Sequence, residues 1–253
     1  MPGLLPDFLG VGASRSGTTS LYDLLDRHPQ VFMAKPKEIQ YFSFFHPEVT
    51  HTGHPMTPEQ YADLFADGGS ARARGEISPS YLWVPGAAER IQQMLGQIRI
   101  LILLRNPIER TYSDFQYSQR KGRNLLPFRE FLQQAQSLLE KKQLIVATSH
   151  PTAILWKGFY ARQVQTYLEL FGRERVFIRL YEEMTGDVPG FRSALTSFLG
   201  IDDDASLDLQ RVNESGGQSP MNDEDRDLLR TIFREDILRL GTLLDRDLGA
   251  WLG

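Results

Sequence analysis

The sequence predicts an α/β fold: a doubly wound parallel sheet with helices on both faces. Three observations predict it. Four short apolar runs, at residues 8–12, 75–78, 99–104 and 175–180, read as buried strands. Helical patterns fill the stretches between them. A glycine-rich turn joins the first run directly to a helix. Strands that alternate with helices bury their apolar faces most simply as a helix-covered parallel sheet.

Taken in order, the first strand runs into the turn Gly12-Ala-Ser-Arg-Ser-Gly-Thr-Thr19 and a helix over residues 19–27. A second strand at 75–78 is followed by a helix at 87–95. The third strand, Arg-Ile-Leu-Ile-Leu-Leu, is apolar on both faces, as a strand inside a parallel sheet must be. Pro107 opens the next helix, to about Lys121, from a first-turn position where proline loses no hydrogen bond. Further helices are predicted at 128–141, 153–171, 190–199 and 223–240. Residues 42–57 and 213–222 lack any periodicity and read as long loops, the places where α/β proteins carry binding groups.

At 253 residues the chain suits one large domain spanning 1–253. Such a domain buries roughly three quarters of its unfolded surface and needs no disulfide. There is no cysteine, which removes thiolate metal sites and cysteine nucleophiles together. The net charge of −4 argues against a general nucleic-acid binder. The N-terminus has no basic leader, and no segment approaches the roughly 20 apolar residues of a membrane span. The expectation is a soluble, cytoplasmic protein with no nucleic-acid partner.

Gly12 and Gly17 are spaced as in the Gly-x-x-x-x-Gly-Lys-Ser/Thr phosphate loop, between a strand and a helix as that loop requires. Glycines let backbone amides converge on an anion, and the helix N-terminus adds positive potential. Ser14, Ser16, Gly17, Thr18, Thr19 and Ser20 are the expected phosphate ligands. The lysine that would serve a γ-phosphate is replaced by Thr18, and the cation stands earlier, at Arg15. No apolar strand ends in an acidic residue placed to hold magnesium; the third ends at Arg105. Arg105, at a strand end, and Ser113, about two turns into the following helix, form a second candidate anion site.

Together the two segments resemble the sulfotransferases that use 3′-phosphoadenosine 5′-phosphosulfate. Gly12-Ala-Ser-Arg-Ser-Gly-Thr-Thr-Ser-Leu21 is similar to their 5′-phosphosulfate loop, and Arg105-Asn-Pro-Ile-Glu-Arg-Thr-Tyr-Ser113 to their 3′-phosphate motif. Lys35-Pro-Lys-Glu-Ile-Gln-Tyr-Phe42, Gly75-Glu-Ile-Ser-Pro-Ser-Tyr81, Lys157-Gly-Phe-Tyr160 and Leu180-Tyr-Glu-Glu-Met184 resemble segments of the bacterial and heparan-sulfate branches, in the same order. The resemblance implies a P-loop-kinase-like fold, transfer without a metal, and 3′-phosphoadenosine 5′-phosphate as the nucleotide product. It implies that Arg105 and Ser113 bind the 3′-phosphate. Gly216 and Gly217 occupy the place of a Lys-Gly-Arg loop that closes over the nucleotide, without its cations.

In-line sulfuryl transfer calls for a base on the acceptor and a cation where charge develops on the leaving oxygen. The resemblance makes Glu38 the candidate base. Arg15 is the candidate for stabilising the leaving phosphate, by hydrogen bonding, since a guanidinium does not give up its proton. Gln40 and Ile77 stand where relatives often carry histidine and lysine. Glu76 reads equally as a site residue and as an ion-pair partner for Arg or Lys. His28 reads as a packing or capping residue, and Trp83 and Trp156 as core. His46, His51 and His54 have no ligand spacing and read as an ordinary loop. The acceptor is left open between a small molecule, a carbohydrate and a lipid-linked substrate, through a hydroxyl rather than an amine. A nucleotide-dependent kinase and a non-catalytic nucleotide-binding protein are the alternatives on the same loop.

Overall fold

A computed structural model of the chain describes residues 4–44, 55–123, 125–141, 150–209 and 220–253. They fall into two compact units: one takes in the described residues up to Leu104 and those of Tyr167–Glu214, the other those of Arg105–Thr166 and Ser215–Gly253. In chain order the strands are β1 (Phe8–Gly12), β2 (Val31–Met33), β3 (Ala73–Ile77), β4 (Arg99–Leu104) and β5 (Val176–Leu180). The helices are α1 (Thr18–Asp26), α2 (Pro58–Asp63), α3 (Ala87–Leu95), α4 (Pro107–Arg120), α5 (Phe128–Glu140), α6 (Pro151–Trp156), α7 (Tyr160–Phe171), α8 (Tyr181–Gly186), α9 (Val188–Leu199) and α10 (Asp223–Leu244).

All five strands lie in the first unit and form one parallel sheet in the order β2-β3-β1-β4-β5. The α/β expectation therefore holds. One face is built by Phe8, Ile77, Leu101, Leu103 and Phe177 against Leu21, Leu24 and Leu25 of α1 and Phe191, Leu195 and Leu199 of α9. The alternate positions Leu9, Val11, Ile100, Ile102 and Leu104 point to the opposite face and are equally buried. Each such aliphatic or aromatic side chain contributes about 1.5–3 kcal/mol by leaving water. Burial on both faces is why β4 reads as an unbroken apolar run.

The sequence misses β2, a three-residue edge strand, and the six-residue helices α2 and α8. All are too short to repeat the helical or strand period often enough to stand out. α2 carries its own signal nonetheless, a capping box in which Thr57 and Gln60 satisfy each other's backbone N–H groups.

The single helix expected over 153–171, which begins in the second unit and ends in the first, is two, α6 and α7. The break has a non-local cause. Gly158 lies against Phe233 of α10, where an added Cβ would come within 2.8 Å of the ring. Asp236, one turn on, accepts the Ala161 N–H at 3.1 Å and starts α7 afresh. Burial pushes the Asp236 carboxyl up to about 6, against the pull of those backbone donors. Nothing local in 153–171 encodes that capture.

α4 begins as expected, with Asn106 capping the Ile108 N–H at 3.0 Å and Pro107 in the first turn. Its inner face holds a buried charge cluster. Asp114 accepts from Arg110 and from Lys157, each at 3.1 Å. Burial alone would raise the Asp114 carboxyl, but the two cations hold it below the usual carboxylate range. Lys157 is thereby placed in the framework of this unit. No helix among the described residues is long and apolar enough to cross a membrane.

Candidate active site

The glycine loop leaves the C-terminal end of β1, the central strand, between neighbours β3 and β4. That is the point where an open α/β sheet changes winding direction and binds its ligands. Ala13 N–H donates to Leu103 O at 2.6 Å, which ties the start of the loop to β4. Gly17 caps α1 in the left-handed region, at φ 86. Thr18, Ser20 and Ser16 are buried; Ser14, Arg15, Gly17 and Thr19 are half-buried.

Two features of the loop suit an anion. Ser16 Oγ is fully buried and has no hydrogen-bond partner among the described residues. An unpaired buried hydroxyl costs about 1–3 kcal/mol, so the loop is incomplete by itself. Arg15 adopts φ 67, a left-handed conformation that costs a side-chain-bearing residue roughly 1–2 kcal/mol. Strain of this kind concentrates at binding sites. The loop is walled by α8: a Cβ on Gly17 would fall 2.4 Å from Met184 Cε and 3.0 Å from the Tyr181 ring. The Tyr-Glu-Glu-Met segment thus acts as packing against the loop.

Glu38 is held one strand away. The chain leaving β2 continues along β3, with Ala34 N–H on Gly75 O at 2.9 Å and Glu38 N–H on Ile77 O at 3.1 Å. Glu38 and Gln40 both lie in the left-handed region, at φ 63 and 59. The Glu38 side chain is 44% exposed and pairs with Lys37 at 2.7 Å. The β3 end is in turn bonded to β1, through Ser78 N–H to Gly10 O at 2.9 Å. The glycine loop and Glu38 therefore stand on adjacent strand ends of one sheet.

In the other unit, Arg105 directly follows β4 and is half-buried, and Ser113 lies buried in the second turn of α4. Gly216 and Gly217 lie outside the described residues, as do His46, His51 and His54. His28 is buried, with Nδ1 accepting the Gln30 N–H at 3.2 Å and Nε2 on Asp202 O at 2.9 Å. Those partners assign the proton to Nε2 and make it a structural residue.

The ion-pair reading of Glu76 is corrected: among the described residues it has no ion-pair partner. It is fully buried on β3, and its partners are hydroxyls. Oε1 accepts from Tyr81 at 2.6 Å and Tyr61 at 3.2 Å, and Oε2 accepts from Ser78 at 2.7 Å. Burial pushes its carboxyl from 4.5 up to about 7, although the three hydroxyls pull the other way; the charge of Glu38 adds a smaller upward push. Burial and the Glu76 charge push both tyrosines well above their ordinary value. Part of this was readable: Ser78, two residues on, shares the strand face of Glu76. Tyr61 comes from α2 and left no sequence signal.

A carboxyl whose folded value is raised stabilises the fold fully below its unfolded value and loses that contribution as pH rises. For Glu76 the loss runs from about 4.5 to about 7 and amounts to about 3 kcal/mol. Denaturant unfolding across this range should show Glu76→Gln losing stability with pH less steeply than the parent by that amount. Parallel curves for the two proteins would count against the raised carboxyl.

A glycine loop on the central strand of a parallel sheet, with buried hydroxyls and no lysine, marks an α/β protein with a loop of the phosphate-loop type. The family model described as "Sulfotransferase domain" matches residues 5–214. The chain belongs to the sulfotransferase family. A sulfotransferase crystal structure from Alicyclobacillus acidocaldarius superposes with a TM-score of 0.80 and 31% identity, over 98% of this chain and 99% of that one. The membrane-associated sulfotransferase kil1 of Dictyostelium discoideum is 25% identical over 96% of this chain, and rat carbohydrate sulfotransferase 15 is 24% identical over 98%. The chain spans 66% and 54% of the lengths of these two relatives.

Proposed function

We propose that the protein transfers a sulfuryl group from 3′-phosphoadenosine 5′-phosphosulfate to a hydroxyl of a carbohydrate or carbohydrate-like acceptor. The observation that carries this reading is the Ser16 hydroxyl, buried without a partner in a loop that offers α1's N-terminus to an anion. The residues present fit the donor. Ser14, Ser16, Gly17, Thr18 and Thr19 would hold the 5′-phosphosulfate by hydroxyls and backbone N–H groups. Arg105 and Ser113 would hold the 3′-phosphate. The donor, when bound, supplies an activated sulfuryl group on a phosphate leaving group.

Glu38 takes the proton of the acceptor hydroxyl as the acceptor oxygen bonds to sulfur. The bond from sulfur to the phosphate oxygen breaks, and Arg15 stabilises the charge gathering on that oxygen. Thr18 in the lysine's place favours this chemistry over γ-phosphoryl transfer. The similarity to rat carbohydrate sulfotransferase 15 supports a carbohydrate as acceptor.

Calorimetric titration with 3′-phosphoadenosine 5′-phosphate tests the donor site. Arg105→Ala should weaken binding by about 10- to 100-fold, the loss of charged hydrogen bonds worth about 1.5–3 kcal/mol. It should leave the affinity for adenosine 5′-phosphosulfate, which lacks the 3′-phosphate, unchanged. Equal affinity of variant and parent for the bisphosphate sinks the assignment of Arg105. Transfer of labelled sulfate to oligosaccharide acceptors tests the acceptor class.

A further inference from the structure

Glu38 and Gln40 are two left-handed, side-chain-bearing residues within three positions. Each conformation costs roughly 1–2 kcal/mol, so the segment does not hold this shape by itself. Two contacts from β3 and the residues after it hold it: Glu38 N–H on Ile77 O at 3.1 Å, and Gln40 N–H on Ser78 Oγ at 2.9 Å. The second depends on Glu76. Ser78 directs its own proton to Glu76 Oε2 at 2.7 Å, which leaves an oxygen lone pair for Gln40. A continuous line thus runs from the buried carboxylate through Ser78 to the backbone of the turn that carries Glu38.

We propose that Glu76 is a positioning residue for sulfuryl transfer: its carboxylate, acting through the Ser78 hydroxyl, fixes the 38–40 turn in the conformation that presents Glu38 to the acceptor. The proposal rests on the reading of Glu38 as the base. The line requires the ionised form. Oε1 is already filled by the Tyr61 and Tyr81 protons. A proton added to Oε2 would face the Ser78 proton and force that hydroxyl to rotate toward Gln40 N–H. The titratable groups facing Glu76 are Tyr61 from α2, Tyr81 from the segment after β3, and Glu38 itself. Tyr41, stacked on Tyr61 at 4.4 Å, stands behind them. With the Glu76 carboxyl near 7, neutral pH divides the two forms. Protonation would loosen the turn without unfolding the sheet.

The test uses the whole chain. Amide NMR follows Gln40 and Glu38 through the pH range around 7, and sulfate release from labelled donor, with water as acceptor, gives the rate. In the parent, the Gln40 amide and the rate should change together with a midpoint near 7. Glu76→Gln should lock both in their acid-side state at every pH, with the plateau rate down about tenfold and affinity for 3′-phosphoadenosine 5′-phosphate within about twofold. Ser78→Ala, which leaves the carboxylate in place, should abolish the Gln40 titration and slow the rate equally. A Gln40 amide that titrates unchanged in Glu76→Gln overturns the proposal, as does a variant that keeps the parent's rate and acid limb. A flat Gln40 amide in an active parent removes the positioning role alone. A Glu38→Gln variant that releases sulfate at the parent's rate removes Glu38 as base, and the positioning role with it.

Discussion

Glu38→Gln should slow sulfuryl transfer by about 10²- to 10⁴-fold, the range expected for losing a general base. Nucleotide affinity should stay unchanged, because Glu38 sits on the β3 side of the sheet and not in the glycine loop. The substitution is chosen to isolate the proton. Glutamine keeps the length of the side chain and the backbone N–H that bonds Ile77 O. It gives up the ion pair with Lys37, but that pair is solvent-exposed, and exposed pairs contribute about 0–1 kcal/mol. A rate loss with intact fold and intact nucleotide binding therefore reports the missing carboxylate. Labelled-donor kinetics beside a binding titration make the measurement. A variant with the parent's rate would remove Glu38 from the chemistry and leave the donor site standing.

Gly17→Ala should abolish useful nucleotide binding, with affinity down at least about 100-fold. Two penalties act together. Alanine at φ 86 costs roughly 1–2 kcal/mol in backbone energy. Its Cβ would stand 2.4 Å from Met184 Cε and 3.0 to 3.2 Å from the Tyr181 ring. The methionine tip can swing aside, whereas the tyrosine ring has less freedom. The loop must shift, and the amides that converge on the anion shift with it. Adding Met184→Ala should relieve only the steric part and recover only part of the affinity. Thermal unfolding of the single variant should show a modest loss, since the core beneath the loop is built from α1, α9 and the sheet. Full-strength binding of the bisphosphate nucleotide by Gly17→Ala would mean that the loop is not the phosphate cradle.

The parts of this fold legible in the sequence are those whose signal is local. β1, β4 and β5 show as apolar runs because both of their faces are covered. The glycine loop shows because its two glycines stand at a fixed spacing between a strand and a helix. β2, α2 and α8 were hidden by their brevity. The break between α6 and α7 was hidden for another reason: its cause, Asp236, lies about seventy-five residues away in the chain. The site divides the same way. Arg15 and Glu38 could be named from their motifs, but not their left-handed backbones. Glu76 stood in a visible motif, yet its surroundings required Tyr61 to arrive from α2. Without that tyrosine in view, a buried carboxylate looks like half of a salt bridge.

The left-handed backbones at Arg15 and Glu38 have a consequence for anyone who breeds this protein for robustness. At both positions glycine suits the backbone better than the residue present. Selection for heat resistance alone would drift toward glycine there, gaining ruggedness while discarding the two groups assigned to the chemistry. A library meant to yield a hardier enzyme has to hold positions 15 and 38 fixed, or score turnover alongside survival.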